Sequence, residues 1–239
     1  MKMMTFVLPN GAEYFISLQR TQYQSSLMKT VRKLLPADLV NGPVLRIVEK
    51  YRRDKISSMY HADMVREFQS IEAFVNPNTT DILDIGCGIG GINVLFWQKL
   101  KGNVELSLMD KTRTDAIYYG FKSDAAFYND FGLTEAFLVA NGVERKKISF
   151  NEAGKGQITA IGRKFDLIVS LISWGFHYPL DYYLEEALAA LKSDGCIILD
   201  LRTGSGDLEG LRMRNDCTVQ VIADFGKYMR IRISSKPQM

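Results

Sequence analysis

Cysteine is scarce in this chain, and its three copies do not cluster: Cys87, Cys196 and Cys217 are far apart and show no C-x-x-C spacing. That argues against a disulfide framework and a cysteine-based zinc site, and leaves packing as the expected role of these side chains. Net charge is also sparse. Thirty Lys and Arg against 27 Asp and Glu leave +3. The one tight basic group, Arg145, Lys146 and Lys147, reads as a solvated turn, so charge nominates no nucleic-acid partner. No apolar run approaches the roughly 20 residues needed for a membrane span. The opening MKMMTFVLPNGAEY breaks at Pro9, Asn10 and Gly11 before a signal-peptide apolar region could form, so the expected location is the cytoplasm. Histidine is rare as well, occurring only at His61 and His177.

What the chain does have is apolar residues in short, regular runs. With 239 residues, 46% of them hydrophobic, it can bury a substantial core as one large domain or a domain with a small appendage. The pattern shifts near residue 76. Before it, MTFVL and EYFIS flank Pro9-Asn10-Gly11 and predict a hairpin, followed by helices over about 22–35, 43–54 and 58–75. Leu27, Val31, Leu34 and Leu35 form an apolar stripe suited to capping a pocket, to a homodimer contact or to packing on the rest of the chain. From Asp81 onward, short apolar strands alternate with helical segments: DILDI, INVLFWQKL, VELSLMD, TEAFLVANG, KISFNEA, FDLIVS, DYYLEEALAAL and GCIILDL. That alternation predicts an α/β fold, a parallel sheet covered on both faces. CTVQVIADFGKYMRIRIS adds an antiparallel C-terminal hairpin turning near residues 224–227. The expected division is an N-terminal hairpin and helical extension over 1–75 and an α/β domain over 76–239.

The stretch DILDIGCGIGGIN places glycines at 86, 88, 90 and 91 between a predicted strand and a predicted helix. Such a turn lets a ligand approach the main chain and offers it the free amides of a helix start. The spacing fits two fingerprints, Gly86-x-Gly88-x-x-Gly91 of dinucleotide sites and Gly86-x-Gly88-x-Gly90. Asp84 separates them, because a carboxylate two positions before the first glycine suits an ammonium group and is awkward beside a pyrophosphate. Asp110 ends the next predicted strand about 20 residues further on, where an acid can accept both hydroxyls of a ribose.

Asp84 to Gly90, Asp110, Glu152-Ala153, FDLIVS and EEALAALKSDGCIILDL together resemble the ordered signature of class I S-adenosylmethionine-dependent methyltransferases, over residues 81 to 235. The resemblance implies a Rossmann-like, seven-stranded, mostly parallel sheet with one reversed strand and S-adenosyl-L-methionine across the strand tips. It implies Asp84 at the methionine amino group, Gly86 and Gly88 at the close backbone approach, Asp110 at the ribose and Glu152 at the adenine amino group. Cys87, Gly90, Lys111, Ala153 and Ser170 complete the cofactor-binding set. Glu152 departs from the Asp more frequent in the family.

The chemistry implied is an in-line displacement at a sulfonium methyl, for which the protein mainly supplies alignment. A hydroxyl acceptor also needs a base, and SWGFHYP, following the fourth strand, nominates His177. SWGFHYPLDYYL is also similar to sugar O-methyltransferases of bacterial polysaccharide and glycan pathways, which implies a carbohydrate or small-molecule acceptor. An insertion carrying Tyr118, Tyr119, Phe121, Phe127, Tyr128 and Phe131 could face a sugar or simply pack. An amine acceptor, a nicotinamide-dependent oxidoreductase and a catalytically silent binding protein are the alternatives. The fourth strand ends in SLIS and lacks the Asn/Asp-Pro-Pro-aromatic run that base methylation would suggest. Asp181 reads as a helix N-cap, and with Asp200 it does not make a metal site, so no metal is expected. His61 reads as structural, and Tyr60 would reach a ligand only if its helix folds over the site.

Overall fold

The computed structural model describes residues 5–23, 25, 45–112 and 129–236. Its centre is a seven-stranded sheet in the order β3-β2-β1-β4-β6-β8-β7. The strands are β1 (Asp81–Ile85), β2 (Glu105–Asp110), β3 (Ile148–Glu152), β4 (Phe165–Ser170), β6 (Leu191–Arg202), β7 (Cys217–Asp224) and β8 (Tyr228–Ser235). β3, β2, β1, β4 and β6 are mutually parallel, and β8 alone runs against its neighbours β6 and β7. The Rossmann-like α/β sheet and its C-terminal hairpin are therefore as the alternation predicts. The hairpin turns where Asp224 Oδ1 accepts from the Gly226 amide at 2.7 Å. A further strand, β5 (Ser173–Tyr178), lies outside this sheet against β6.

Strand periodicity sorts the core onto two faces. Ile82, Leu106 and Leu108 face one apolar cluster, shared with α3 (Arg53–Gln69), α4 (Gly91–Lys99) and α5 (Phe131–Ala140). Leu83, Ile85 and Met109 face the other, with α6 (Gln157–Ala160), α7 (Leu184–Ala189) and α8 (Asp207–Arg212). α4 is buried from Gly91 to Trp97, with Ile92, Leu95, Phe96 and the following Leu100 in the first cluster.

The N-terminal hairpin is a misreading. Ala12–Gln19 is a helix, α1. Ala12, Tyr14, Ile16 and Leu18 are all buried, and their alternation imitates a strand. In the helix the same residues split by i, i+4 pairing: Ala12 and Ile16 enter the main core, whereas Tyr14 and Leu18 meet Leu45 of α2 (Leu45–Lys50). The helix expected over 43–54 is interrupted at Tyr51 and Arg52, where α2 ends and α3 begins. Asp181 caps no helix: it lies in a 3₁₀ turn, Leu180–Tyr182, and α7 starts after Tyr183 with no side-chain cap. Most of 22–35, including Leu27, Val31, Leu34 and Leu35, lies outside the described residues, as do Tyr118, Tyr119, Phe121, Phe127 and Tyr128. Phe131 of the same insertion stacks on Phe150 of β3 with ring centroids 4.8 Å apart. Among the described residues no helix is long and apolar enough to cross a membrane.

Because Ile16 is fully buried in the main core, Ile16→Ala is expected to lower the unfolding free energy by about 2–5 kcal/mol in a urea titration. A loss below about 0.5 kcal/mol, the range of surface substitutions, would contradict the helical packing of α1.

Candidate functional site

The site is built at the carboxyl tips of β1, β2 and β4. After Ile85 the chain turns through left-handed conformations at Gly86 (φ 78°) and Gly88 (φ 53°) before α4 begins. At Gly86 crowding demands glycine as much as φ does, whereas at Gly88 the nearest atom is the movable end of a glutamine and φ is the constraint. A Cβ on Gly86 would stand 2.0 Å from Ser173 Oγ, and one on Gly88 would stand 2.8 Å from Gln19 Oε1. The turn is fixed by the neighbouring strand, since the Gly86 amide donates to Met109 O at 2.7 Å. It is fixed at its other end by α3, where Tyr60 OH accepts from the Gly91 amide at 2.9 Å.

Two buried carboxyl groups lie at this corner. Asp84 pairs with Leu108 across the β1–β2 ladder, and Asp110 is two residues beyond Leu108, so both carboxylates project to one face of the sheet. Asp84 Oδ2 accepts from Asn93 Nδ2 at 2.6 Å. The other end of that amide, Asn93 Oδ1, is buried with no partner. Asp110 Oδ2 accepts from the Gly88 amide at 2.7 Å and from Asn129 Nδ2 at 2.9 Å, and Asp110 Oδ1 accepts from the Lys111 amide at 2.8 Å. Burial pushes the Asp84 carboxyl up to about 7, against the Asn93 bond, with Asp110 adding repulsion. Burial likewise lifts Asp110 to about 6, opposed by its amide donors, with Glu152 nearby adding to the rise. A corner of buried acceptors held by neutral donors suits a ligand that brings a positive charge and hydrogen-bond donors.

Beside this corner opens a small cleft lined by Ile85, Gly86, Asp110, Lys111, Ala153, Ser173, Tyr178, Tyr182 and Tyr183. Of the residues singled out from the sequence, Gly86, Asp110, Lys111 and Ala153 thus meet at one opening. Gly88 and Cys87 are not part of the lining; the buried Cys87 Sγ lies 3.9 Å from Asp110 Oδ2. Gly90 carries the turn into α4. Glu152 ends β3 as expected, but its exposed carboxylate accepts from the amide and hydroxyl of Thr112, at 3.0 and 2.9 Å, and is not part of the lining. Ser170 is fully buried: its hydroxyl donates to Ile85 O at 2.8 Å and accepts from the Trp174 amide at 2.9 Å.

His177 stands on β5, exposed, beside the cleft-lining Tyr178. Crowding by protein atoms and the Arg202 charge lower its pKa, so the imidazole is neutral near pH 7. His61 packs edge-on against Phe6 with centroids 4.8 Å apart. Asp200 is occupied by Arg230, and among the described residues no group of His, Cys, Asp and Glu is placed to hold a metal ion.

Several site residues escape sequence reasoning. Asn93 is a lone polar residue in the otherwise apolar first turns of α4, a signal present but not distinctive. Asn129, which bridges Asp110 and Gly88 O, is identified only by the fold. Tyr178, Tyr182 and Tyr183 share the cleft lining with Asp110, a convergence that no sequence spacing marks.

No family model and no curated protein matches the chain. Among solved structures it is similar to a precorrin-6y C5,15-methyltransferase from Geobacter metallireducens, at 14% identity and TM-score 0.48 over 76% of this chain and 89% of that one. It is similar to a ribosomal protein L11 methylase from Lactobacillus delbrueckii at 18% identity and TM-score 0.48, over 71% and 76% of the two chains. It is also similar to the O-methyltransferase TomG of Streptomyces achromogenes, in complex with SAM, at 14% identity and TM-score 0.46 over 71% and 87%.

Proposed function

We propose that the chain is a methyltransferase that binds S-adenosyl-L-methionine at this corner and methylates a hydroxyl of a small molecule or sugar. The observation that carries the reading is the pair of buried, cation-free acceptor sets at adjacent strand tips, joined by a glycine turn. Asp84 with the unpartnered Asn93 Oδ1 fits an amino group, which would give that buried oxygen the donor it lacks. The Gly88, Lys111 and Asn129 amides and the Cys87 thiol already take up Asp110's roughly four acceptor sites, so a ribose hydroxyl pair would displace the Asn129 amide and the weaker thiol. Lys111, Ala153 and the three tyrosines would enclose the base, and Glu152 would meet the adenine amino group in exchange for its bonds to Thr112.

The bound group supplies an electrophilic methyl on a sulfonium centre. The chain's own residues supply alignment, exclusion of water and a place for the acceptor's proton. His177 receives that proton at a ring nitrogen. Its lowered pKa keeps it a base in the neutral range. The SWGFHYP segment, by its similarity to sugar O-methyltransferases, supports a sugar acceptor.

Isothermal titration tests the binding half of this reading. S-adenosylhomocysteine is expected to bind and NADH is not; tight NADH binding with none for S-adenosylhomocysteine would reverse the assignment. The pH dependence has a definite sign. Asp84 and Asp110 hold protons more tightly folded than unfolded, so in the free protein their contribution to stability is full in acid and is lost as pH rises through about 6 to 7. A bound ammonium favours ionised Asp84, so affinity should rise with pH through that window, by at most about tenfold per pH unit for each proton released. Asp84→Asn should flatten the dependence.

The base assignment is tested kinetically. On a hydroxyl acceptor, His177→Ala should lower kcat about 10²–10⁴-fold while changing S-adenosylhomocysteine affinity by less than about threefold. Turnover within threefold of wild type would remove His177 from the mechanism.

A further inference from the structure

The turn between β4 and β5 contains a conformation that its sequence resists. Ile172 is left-handed (φ 54°), a region a β-branched side chain rarely enters. Such a conformation persists only where its surroundings over-determine it. Here the Ile172 amide donates to Asp200 Oδ2 at 3.0 Å. Asp200 is itself gripped by Arg230, from Nε to Oδ1 at 2.7 Å and from Nη2 to Oδ2 at 2.8 Å, and both residues are completely buried. Arg230 is anchored in turn on α3: Nη1 donates to Ser70 Oγ at 2.5 Å, and Nη2 lies 2.7 Å from Glu67 Oε2.

The residue after the strained one is Ser173, whose hydroxyl fills the space over Gly86 and lines the cleft. β5 is laid onto β6 at the same point, because a Cβ on Gly175 would stand 2.9 Å from Asp200 O. We propose that Asp200 and Arg230, anchored on Glu67 and Ser70, are positioning residues. They hold the β4–β5 turn left-handed at Ile172 and so set Ser173 against the glycine turn and β5, with His177, beside the cleft. α3 then controls both walls, touching the glycine turn through Tyr60 and the β4–β5 turn through Arg230. This inference rests on the proposed ligand for the functional meaning of the cleft, but not for the linkage itself.

The test is a rescue. Asp200→Asn removes the charge that orders the turn, and adding Ile172→Gly in that background lets the turn stay left-handed without it. Trp174 follows Ser173 directly, is fully buried and donates its indole N–H to Leu180 O at 2.8 Å, so its indole resonance reports the turn. The chain has two tryptophans, which makes the assignment simple. Asp200→Asn is expected to shift the Trp174 resonance and weaken S-adenosylhomocysteine binding about tenfold or more. The double variant should return the resonance towards wild type and recover most of the affinity. Its melting temperature should stay low, because glycine does not restore the buried ion pair between Asp200 and Arg230. A fall in melting temperature with the resonance and affinity unchanged, or a failure of Ile172→Gly to restore the resonance, overturns the proposal. Should Asp200→Asn not fold, Glu67→Gln keeps the buried pair and loosens only its anchor; an unmoved Trp174 resonance there is equally fatal. If the wild type binds no S-adenosylhomocysteine, the proposed function fails while the resonance still decides the linkage.

Discussion

The structure of the site depends on the burial of two carboxyl groups, Asp84 and Asp110, on one face of adjacent strands. Both are nearly inaccessible, and the donors that reach them are neutral: the amides of Asn93 and Asn129, the main chain at Gly88 and Lys111, and the Cys87 thiol. Neutral donors offset only part of the cost of burying a negative charge, which is why both groups hold their protons into the neutral range. The glycine turn follows from the same constraint. Gly88 can donate to Asp110 only because the chain between β1 and α4 takes left-handed angles at Gly86 and Gly88. A Cβ at position 86 would collide with Ser173, and at position 88 the positive φ itself disfavours any other residue.

The N-terminal helices are therefore not a detached appendage to the sheet. Ile56, Tyr60, Met64 and Phe68 of α3 lie in the same apolar cluster as Ile92, Leu95 and Phe96 of α4. At about 25 cal/mol per Å² of apolar surface, such burial outweighs any single polar contact, but it is non-directional and fixes no atom to better than the fit of side chains. Direction comes from Tyr60, whose hydroxyl takes the first amide of α4, and from Glu67 and Ser70, which take Arg230. Apolar packing holds α3 on the sheet, and these bonds decide where its neighbours point.

How much was legible in the sequence follows from the range of each signal. The β/α alternation, the glycine turn and Asp110 at a strand end are local patterns, and all stand where the spacing puts them. The failure at α1 was local too. Alternating apolar residues at 12, 14, 16 and 18 satisfy a strand and also a helix with two buried faces, and only the presence of Leu45 on the second face decides between them. Long-range pairings left no trace: Arg230 meets Asp200 because β8 runs antiparallel to β6 in the register Asp200↔Arg230, which no spacing rule reveals. The left-handed Ile172 is less legible still, since its residue type argues against its conformation.

Ser170 and Ser173 show how three positions in one turn can separate structure from site. The Ser170 hydroxyl is spent inside the protein, donating to Ile85 O and accepting from the Trp174 amide. That single group ties the end of β1, where the glycine turn starts, to the segment that carries Ser173. A buried hydroxyl with both capacities used has no energetic reason to turn towards a ligand. Ser173 differs because its hydroxyl fills the space over Gly86 and lines the cleft. The cleft floor is thus a bridge between two backbone turns, held by the buried side chains of Ser170 and Asp200. A ligand entering it meets walls whose spacing is set by buried bonds and not by the flexible side chains it touches first.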